Sequence, residues 1–281
     1  MNRFFPILIL ILAMCSIQFG ASVAKKLFPI AGTAGASSLR LMFASIMMVL
    51  AFRPWRVKFS QNEWKSLALY GVSLGLMNLS FYYALQKIPL GIAVALEFTG
   101  PLAVAIFSSK RKIDYLWVVL AAVGIFLLLP KSDGPGALDP MGMFFALLAG
   151  FFWALYIIFG KKAGDSHSGG IASAMGMGFA AIVVLPFGLA VDASRMFTAE
   201  ALPLGLFIAL FGSAIPYSLE MMALKKMPTK TFGVLMSLEP AVASLMGLIF
   251  LSEHLSLLQW TAIMCVIISS LGSTLASTEQ H

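Results

Sequence analysis

Tyr83-Ala84-Leu85-Gln86-Lys87-Ile88-Pro89 is a short polar interruption between two long apolar runs, and 139 residues further on it recurs as Met222-Ala223-Leu224-Lys225-Lys226-Met227-Pro228. At the same offset Pro101 meets Pro240, and Asn78 meets Tyr217. Lys25-Lys26 resembles Lys161-Lys162 at an offset of 136. Self-similarity at a long fixed period marks duplicated structural units. The expected units are 1–134 and 135–281.

Apolar runs extend outward from these breaks over the whole chain. A membrane-spanning helix needs about 20 mostly apolar residues. Ten candidates run approximately 5–24, 34–52, 66–86, 90–108, 115–130, 140–160, 170–190, 202–224, 230–250 and 256–275. Of the 281 residues, 60% are hydrophobic and 11% charged, against about 25% charged in a soluble domain. The expected fold is therefore all-α and integral to the membrane. Ser22-Val23-Ala24 resembles a signal-peptide cleavage site, but the first span has a counterpart in the sixth, so it is read as a retained helix.

The net charge of +7 would suggest nucleic acid in a soluble protein. Here the basic residues fill short gaps between apolar runs, which is the positive-inside pattern of cytoplasmic loops, and no nucleic-acid partner is expected. Thirteen of the 19 Lys and Arg fall on the side of the N-terminus: Arg3, Arg53, Arg56, Lys58, Lys65, Lys110–Lys112, Lys161, Lys162, Lys225, Lys226 and Lys230. Lys25, Lys26, Lys87, Lys131 and Arg195 fall on the other, and Arg40 lies within the second span. Both termini are expected in the cytoplasm. Each five-span half then enters from the opposite face, which makes an inverted repeat around a midplane site, the plan of alternating-access transporters.

Charges inside apolar spans are costly, about 2.5–3.5 kcal/mol each at the helix centre, and usually face a cavity or a partner. Glu97, Glu220 and Glu239 qualify as substrate-binding or proton-coupling groups. Pro101 follows Glu97 by one turn, Pro240 follows Glu239 directly, and Pro216 precedes Glu220 by one turn. Proline removes a backbone donor and breaks the helix, and broken helices in matching places of two halves point to a transport site. Relative to their prolines, Glu97 and Glu239 fall about 60° apart in azimuth and about 4.5 Å apart along the axis. Gln18, Asn78, Tyr217, Tyr82 and Trp153 are further wall candidates, with Tyr83 and Tyr156. Gln18 and Asn78 also suit interhelical bonding, and the aromatics also suit interfacial belts. Arg40 suits a lipid headgroup, snorkelling or an acid partner, with a structural role favoured. Gly71-Val72-Ser73-Leu74-Gly75 is a GxxxG motif and predicts close helix packing.

Cys15 and Cys265 lie in apolar runs without CxxC or a His/Cys cluster, so no metal is expected. His167, His254 and His281 read as solvated. There is no P-loop, GxGxxG, GxSxG or HExxH, so neither a cofactor, ATP-driven transport nor an enzyme is expected.

The stretch Pro89-Leu90-Gly91-Ile92-Ala93-Val94-Ala95-Leu96-Glu97-Phe98-Thr99-Gly100-Pro101-Leu102, with Ser16–Ser22, Tyr70–Gly75, Pro216–Met221, Pro228–Gly233 and Ser237–Ala241, resembles the drug/metabolite transporter superfamily, EamA type. The resemblance covers essentially the whole chain and is nearest to the bacterial exporters of threonine and homoserine. It implies a multi-pass inner-membrane exporter of small amino acids, ten helices in inverted repeats, and coupling to a proton or ion gradient. It leaves open another cargo (aromatic amino acids, nucleosides, cationic drugs), a scaffold role, and a monomer or homodimer in the lipid. Glu97, then Glu239, is the expected ammonium partner. Freed backbone groups with Asn78, Gln18 and Tyr217 are the expected carboxylate donors.

Overall fold

A computed structural model describes residues 4–107, 114–128, 138–164, 169–224, 226 and 229–277. All regular elements among them are helices: α1 (Phe4–Ala31), α2 (Thr33–Phe52), a 3-10 turn (Pro54–Arg56), α3 (Gln61–Leu85), α4 (Leu90–Glu97), α5 (Thr99–Phe107), α6 (Asp114–Leu128), α7 (Pro140–Gly164), α8 (Gly169–Met196), α9 (Ala201–Ala209), a π-helical turn (Leu210–Ala214), α10 (Ile215–Leu224), α11 (Thr229–Met236), α12 (Glu239–Leu251) and α13 (Leu257–Ser277). Among the described residues, six stretches are long and apolar enough to cross a membrane. Four shorter apolar helices accompany them, at Leu90–Val104, Tyr115–Leu128, Ala201–Tyr217 and Leu257–Gly272. Ile182, Val191, Ile249 and Leu257 are exposed, as lipid-facing residues are.

The ends of the helices follow local chemistry. Ser60 and Glu63 form a capping box that starts α3 at Gln61 rather than near residue 66, satisfying orphan N–H groups. Gly32 joins α1 to α2 at φ 74, where a side chain would be strained and would meet Asp192. The Asp192 carboxylate accepts from Gly35 N (3.0 Å) at the start of α2. The expected loop lysines Lys25 and Lys26 instead lie inside α1, which continues to Ala31. Lys25 is held there by its own partners, described below. Lys161 and Lys162 occupy the last turn of α7, where positive charge suits the helix dipole. His254 is exposed, and His167, His281 and the tail after Ser277 lie outside the described residues.

Helix α2 packs on α8, α3 on α7 and α8, α1 on α10, α4 on α12, and α6 on α13. The GxxxG reading holds: Gly71 faces Phe179 and the Gly176 carbonyl, and Gly75 faces the Ala180 backbone of α8. One end of the bundle is sealed by the buried side chains Leu27, Phe28, Leu85, Ile88, Leu90 and Ile92. There Lys25 Nζ meets Glu253 Oε1 (2.6 Å) and donates to the Ile88 carbonyl (3.1 Å). Glu253 Oε2 accepts from Leu90 N (2.7 Å), an orphan donor at the start of α4. Nearby, Lys87 pairs with Asp139 (2.9 Å). The Lys87 hydrogen bond holds the Asp139 carboxyl below its ordinary range.

Candidate functional site

Three of the helical rods break beside a proline singled out above. Pro101 is the third residue of α5, and the rod is interrupted at Phe98. Its missing N–H leaves the Glu97 carbonyl without the usual helical partner. Gly100 and Gly150 let α5 and α7 cross here, because a Cβ on Gly150 would lie 2.7 Å from that carbonyl oxygen. The second break, at Ser237 and Leu238, precedes Glu239 and Pro240 at the start of α12. The third is the π-turn Leu210–Ala214, just before Pro216 in α10. Pro216 offers no N–H to the carbonyl four residues back, that of Gly212, and Arg40 Nη2 donates to it instead (2.7 Å).

The breaks surround a cavity of about 440 Å³, a size that suits small-molecule ligands. Glu97, Glu220 and Glu239 all reach its wall, from α4, α10 and α12. Gln18, Asn78, Trp153 and Tyr217 line it with Pro101 and Tyr156. Pro240 and Pro216 are not on the wall and act through the backbone they interrupt. Tyr83 stacks on Phe145 (5.2 Å between centroids) and is not on the wall.

Tyr82 departs from expectation. It is fully buried behind the wall, and its hydroxyl accepts from Arg40 Nη1 (3.3 Å) with the guanidinium 5.5 Å from its ring centroid. It supports Arg40 rather than facing the cavity. Arg40 itself is the residue that sequence reasoning undervalued. It is 7% exposed and on the cavity wall, so it neither snorkels nor meets lipid headgroups. Among the described residues no carboxylate lies within salt-bridge distance of it, the ion pairs being Lys25–Glu253 and Lys87–Asp139. The available signal was Pro216, which frees the Gly212 carbonyl that Arg40 takes.

The acids differ in how they are held. Gln18 Nε2 donates to Glu239 Oε1 (3.1 Å), tying α1 to α12. Gln18 Oε1 and Glu239 Oε2 are buried with no hydrogen-bond partner. Among the described residues the Glu97 carboxylate has no protein hydrogen bond, and the charges that act on it are those of Glu239 and Arg40. The Asn78 amide nitrogen is taken by the Leu74 carbonyl (2.8 Å) of its own helix. Trp153 sits edge-on to Phe98 (5.3 Å) at the first break, and Tyr156 stacks on Tyr70 (4.9 Å). The result is an aromatic and aliphatic chamber with carboxylates and one guanidinium, suited to a small ligand carrying charges of both signs.

Comparison with known proteins fits that geometry. The profile of the EamA-like transporter family matches residues 140–275. The "Threonine/homoserine exporter RhtA" of Salmonella typhimurium (strain LT2) is 49% identical over 270 residues, covering 96% of this chain and 91% of the relative. This chain belongs to the EamA-like transporter family. Another member, the Escherichia coli K12 protein of the same name, is 48% identical over the same shares. The "Uncharacterized inner membrane transporter YedA" of Escherichia coli K12 is 27% identical over 228 residues, 74% of this chain and 70% of that one. A crystal structure of a protein 15% identical covers 100% of this chain and 99% of its own with a TM-score of 0.66, which shows likeness of fold alone. This EamA-like chain is thus a multi-pass membrane transporter, not an enzyme.

Proposed function

We propose that this protein exports small amino acids of the threonine and homoserine kind across a bacterial inner membrane, by alternating access around the Glu97–Glu239 cavity. The observation that carries the reading is the Gln18–Glu239 pair on the cavity wall, in which Gln18 Oε1 and Glu239 Oε2 are buried acceptors without partners. An ammonium group brings three N–H donors, the kind of partner these acceptors lack. Buried polar atoms left unpaired in this way are rare in native proteins. The names of the exporter relatives supply the cargo class.

Architecture supports the cycle. Taking the six long and four shorter apolar segments as ten crossings returns both termini to one face, the face richer in Lys and Arg. The packing of matching helices supports the halves 1–134 and 135–281: α1 on α10 corresponds to α7 on α3, and α2 and α6 pack on their counterparts α8 and α13. The wall residues Trp153 and Tyr156 lie in the second half of α7, and Ser173 near the start of α8. The cavity therefore lies toward the bundle end opposite the Lys25–Glu253 seal, which is the cytoplasmic end in this orientation. Glu97, with its carboxylate unbonded by protein, shares the substrate ammonium with Glu239 and, by exchanging it for a proton, couples export to a gradient.

The test is efflux of radiolabelled threonine and homoserine from proteoliposomes, with and without an imposed proton gradient. The expected result is gradient-dependent threonine efflux competed by homoserine. Absence of efflux from correctly inserted protein refutes the amino-acid reading, and transport of another cargo insensitive to threonine assigns the cavity to that cargo.

A further inference from the structure

Arg40 is the only cationic side chain on the cavity wall among the described residues. A buried guanidinium is strongly unfavourable unless hydrogen-bonded and paired. Its hydrogen bonds are made but, among the described residues, no carboxylate lies within salt-bridge distance: Nε donates to Ser213 Oγ (2.9 Å), Nη2 to the Gly212 carbonyl (2.7 Å) and Nη1 to the Tyr82 hydroxyl (3.3 Å). All three acceptors are neutral. They use three of the five N–H donors of the group, which leaves two donors and a full positive charge beside the cavity.

The local construction holds the guanidinium rigidly. The π-turn presents Ser213 and the carbonyl that Pro216 leaves open, while the Tyr82 hydroxyl accepts from Nη1. The same turn presses on α1, where a Cβ at Gly20 would lie 2.6 Å from Gly212 Cα. Two residues earlier on α1 is Gln18, the partner of Glu239. The cationic corner and the acceptor corner of the chamber are thus braced by one stretch of one helix.

We infer that Arg40 binds the carboxylate of the transported amino acid through its two unused donors, in the same chamber as the ammonium site at Gln18 and Glu239. This rests on the amino-acid reading above and adds a selection rule to it. The cargo must carry a free carboxylate as well as a free ammonium, and amides, esters and simple amines of the same side chain are rejected. The assignment replaces the freed backbone groups as the main carboxylate donors. It also gives Tyr82 and the π-turn the role of positioning Arg40. Arginine's planar fork suits carboxylate in a way that the point charge of lysine does not.

The experiment measures threonine counterflow in proteoliposomes against four competitors: homoserine, threonine methyl ester, threoninamide and ethanolamine. For the wild type, homoserine competes, and the ester, amide and amine compete about tenfold less well or worse, as loss of a charge-assisted hydrogen bond implies. Arg40→Gln lowers affinity for threonine and erases the preference for free acid over ester. Arg40→Lys retains charge without the fork and shows an intermediate preference. A purely structural tie between α2 and the π-turn changes protein yield and leaves that preference unaltered. The wild-type competitor series needs no variant, so it can overturn the assignment even if Arg40→Gln fails to fold, and Arg40→Lys then ties any preference to this residue. Threonine transport blocked equally by ester and free acid overturns the role of Arg40 and leaves the exporter reading standing. A wild type that moves no amino acid overturns both.

Discussion

Replacing Glu239 by Gln separates binding from stability at a single atom. Gln18 Nε2 reaches Glu239 Oε1 at 3.1 Å, and a glutamine carbonyl oxygen in the same position keeps that bond. The new amide nitrogen takes the place of Oε2, which has no partner, and needs no change in side-chain length or volume. The variant also removes a buried carboxylate whose second oxygen is unsatisfied, a costly arrangement. Folding is therefore expected to be unchanged or slightly stronger. Substrate binding moves the other way. The ammonium loses a charged acceptor worth about 1.5–3 kcal/mol, and at about 1.4 kcal/mol per tenfold this weakens binding about 10- to 150-fold. The assay pairs threonine Kd, from radioligand binding to purified protein, with the thermal midpoint of the same sample. An unchanged Kd refutes the ammonium assignment. A large drop in thermal midpoint refutes the claim that this carboxylate is not needed for folding.

Glu97→Gln is expected to insert at wild-type abundance and to lose proton-driven export, because the carboxylate that exchanges proton for ammonium is gone; export at the wild-type rate would contradict this. Gly100→Ala places a Cβ against the Gly150 carbonyl and is expected to cost about 1–3 kcal/mol by overpacking, read as a lower thermal midpoint. Glu253→Ala strands Lys25 and the Leu90 N–H at the sealed end at a cost of about 1–3 kcal/mol. Hydrogen exchange at the Leu90 amide reports it, and unchanged exchange would show that the ion pair does not hold this end.

Much of the molecule was readable along the chain because the relevant physics is local. In lipid every backbone polar group needs an internal partner, so long apolar runs become helices. A proline lacks its N–H wherever it lies, so Pro101, Pro216 and Pro240 announced their breaks. The acids Glu97, Glu220 and Glu239 were legible for a related reason: a carboxylate in an apolar run demands a cavity or a partner. Gly71 and Gly75 foretold a close crossing but not that α8 supplies the other side.

The azimuth and partners of each side chain were not readable, since they depend on which helices meet. Tyr82 and Trp153 are both aromatic residues in apolar runs, yet one backs a guanidinium and the other lines the cavity. Lys25 looked like a loop lysine until Glu253, 228 residues away, came to lie beside it. Arg40 is the clearest case, for Ser213, 173 residues distant, and the π-turn carbonyl place its charge in the cavity. Sequence alone determined the solvent, the helices and their breaks, because hydropathy and missing donors act over one or two turns. Only the tertiary structure decided which charges share the chamber, because burial and pairing are made between helices far apart along the chain.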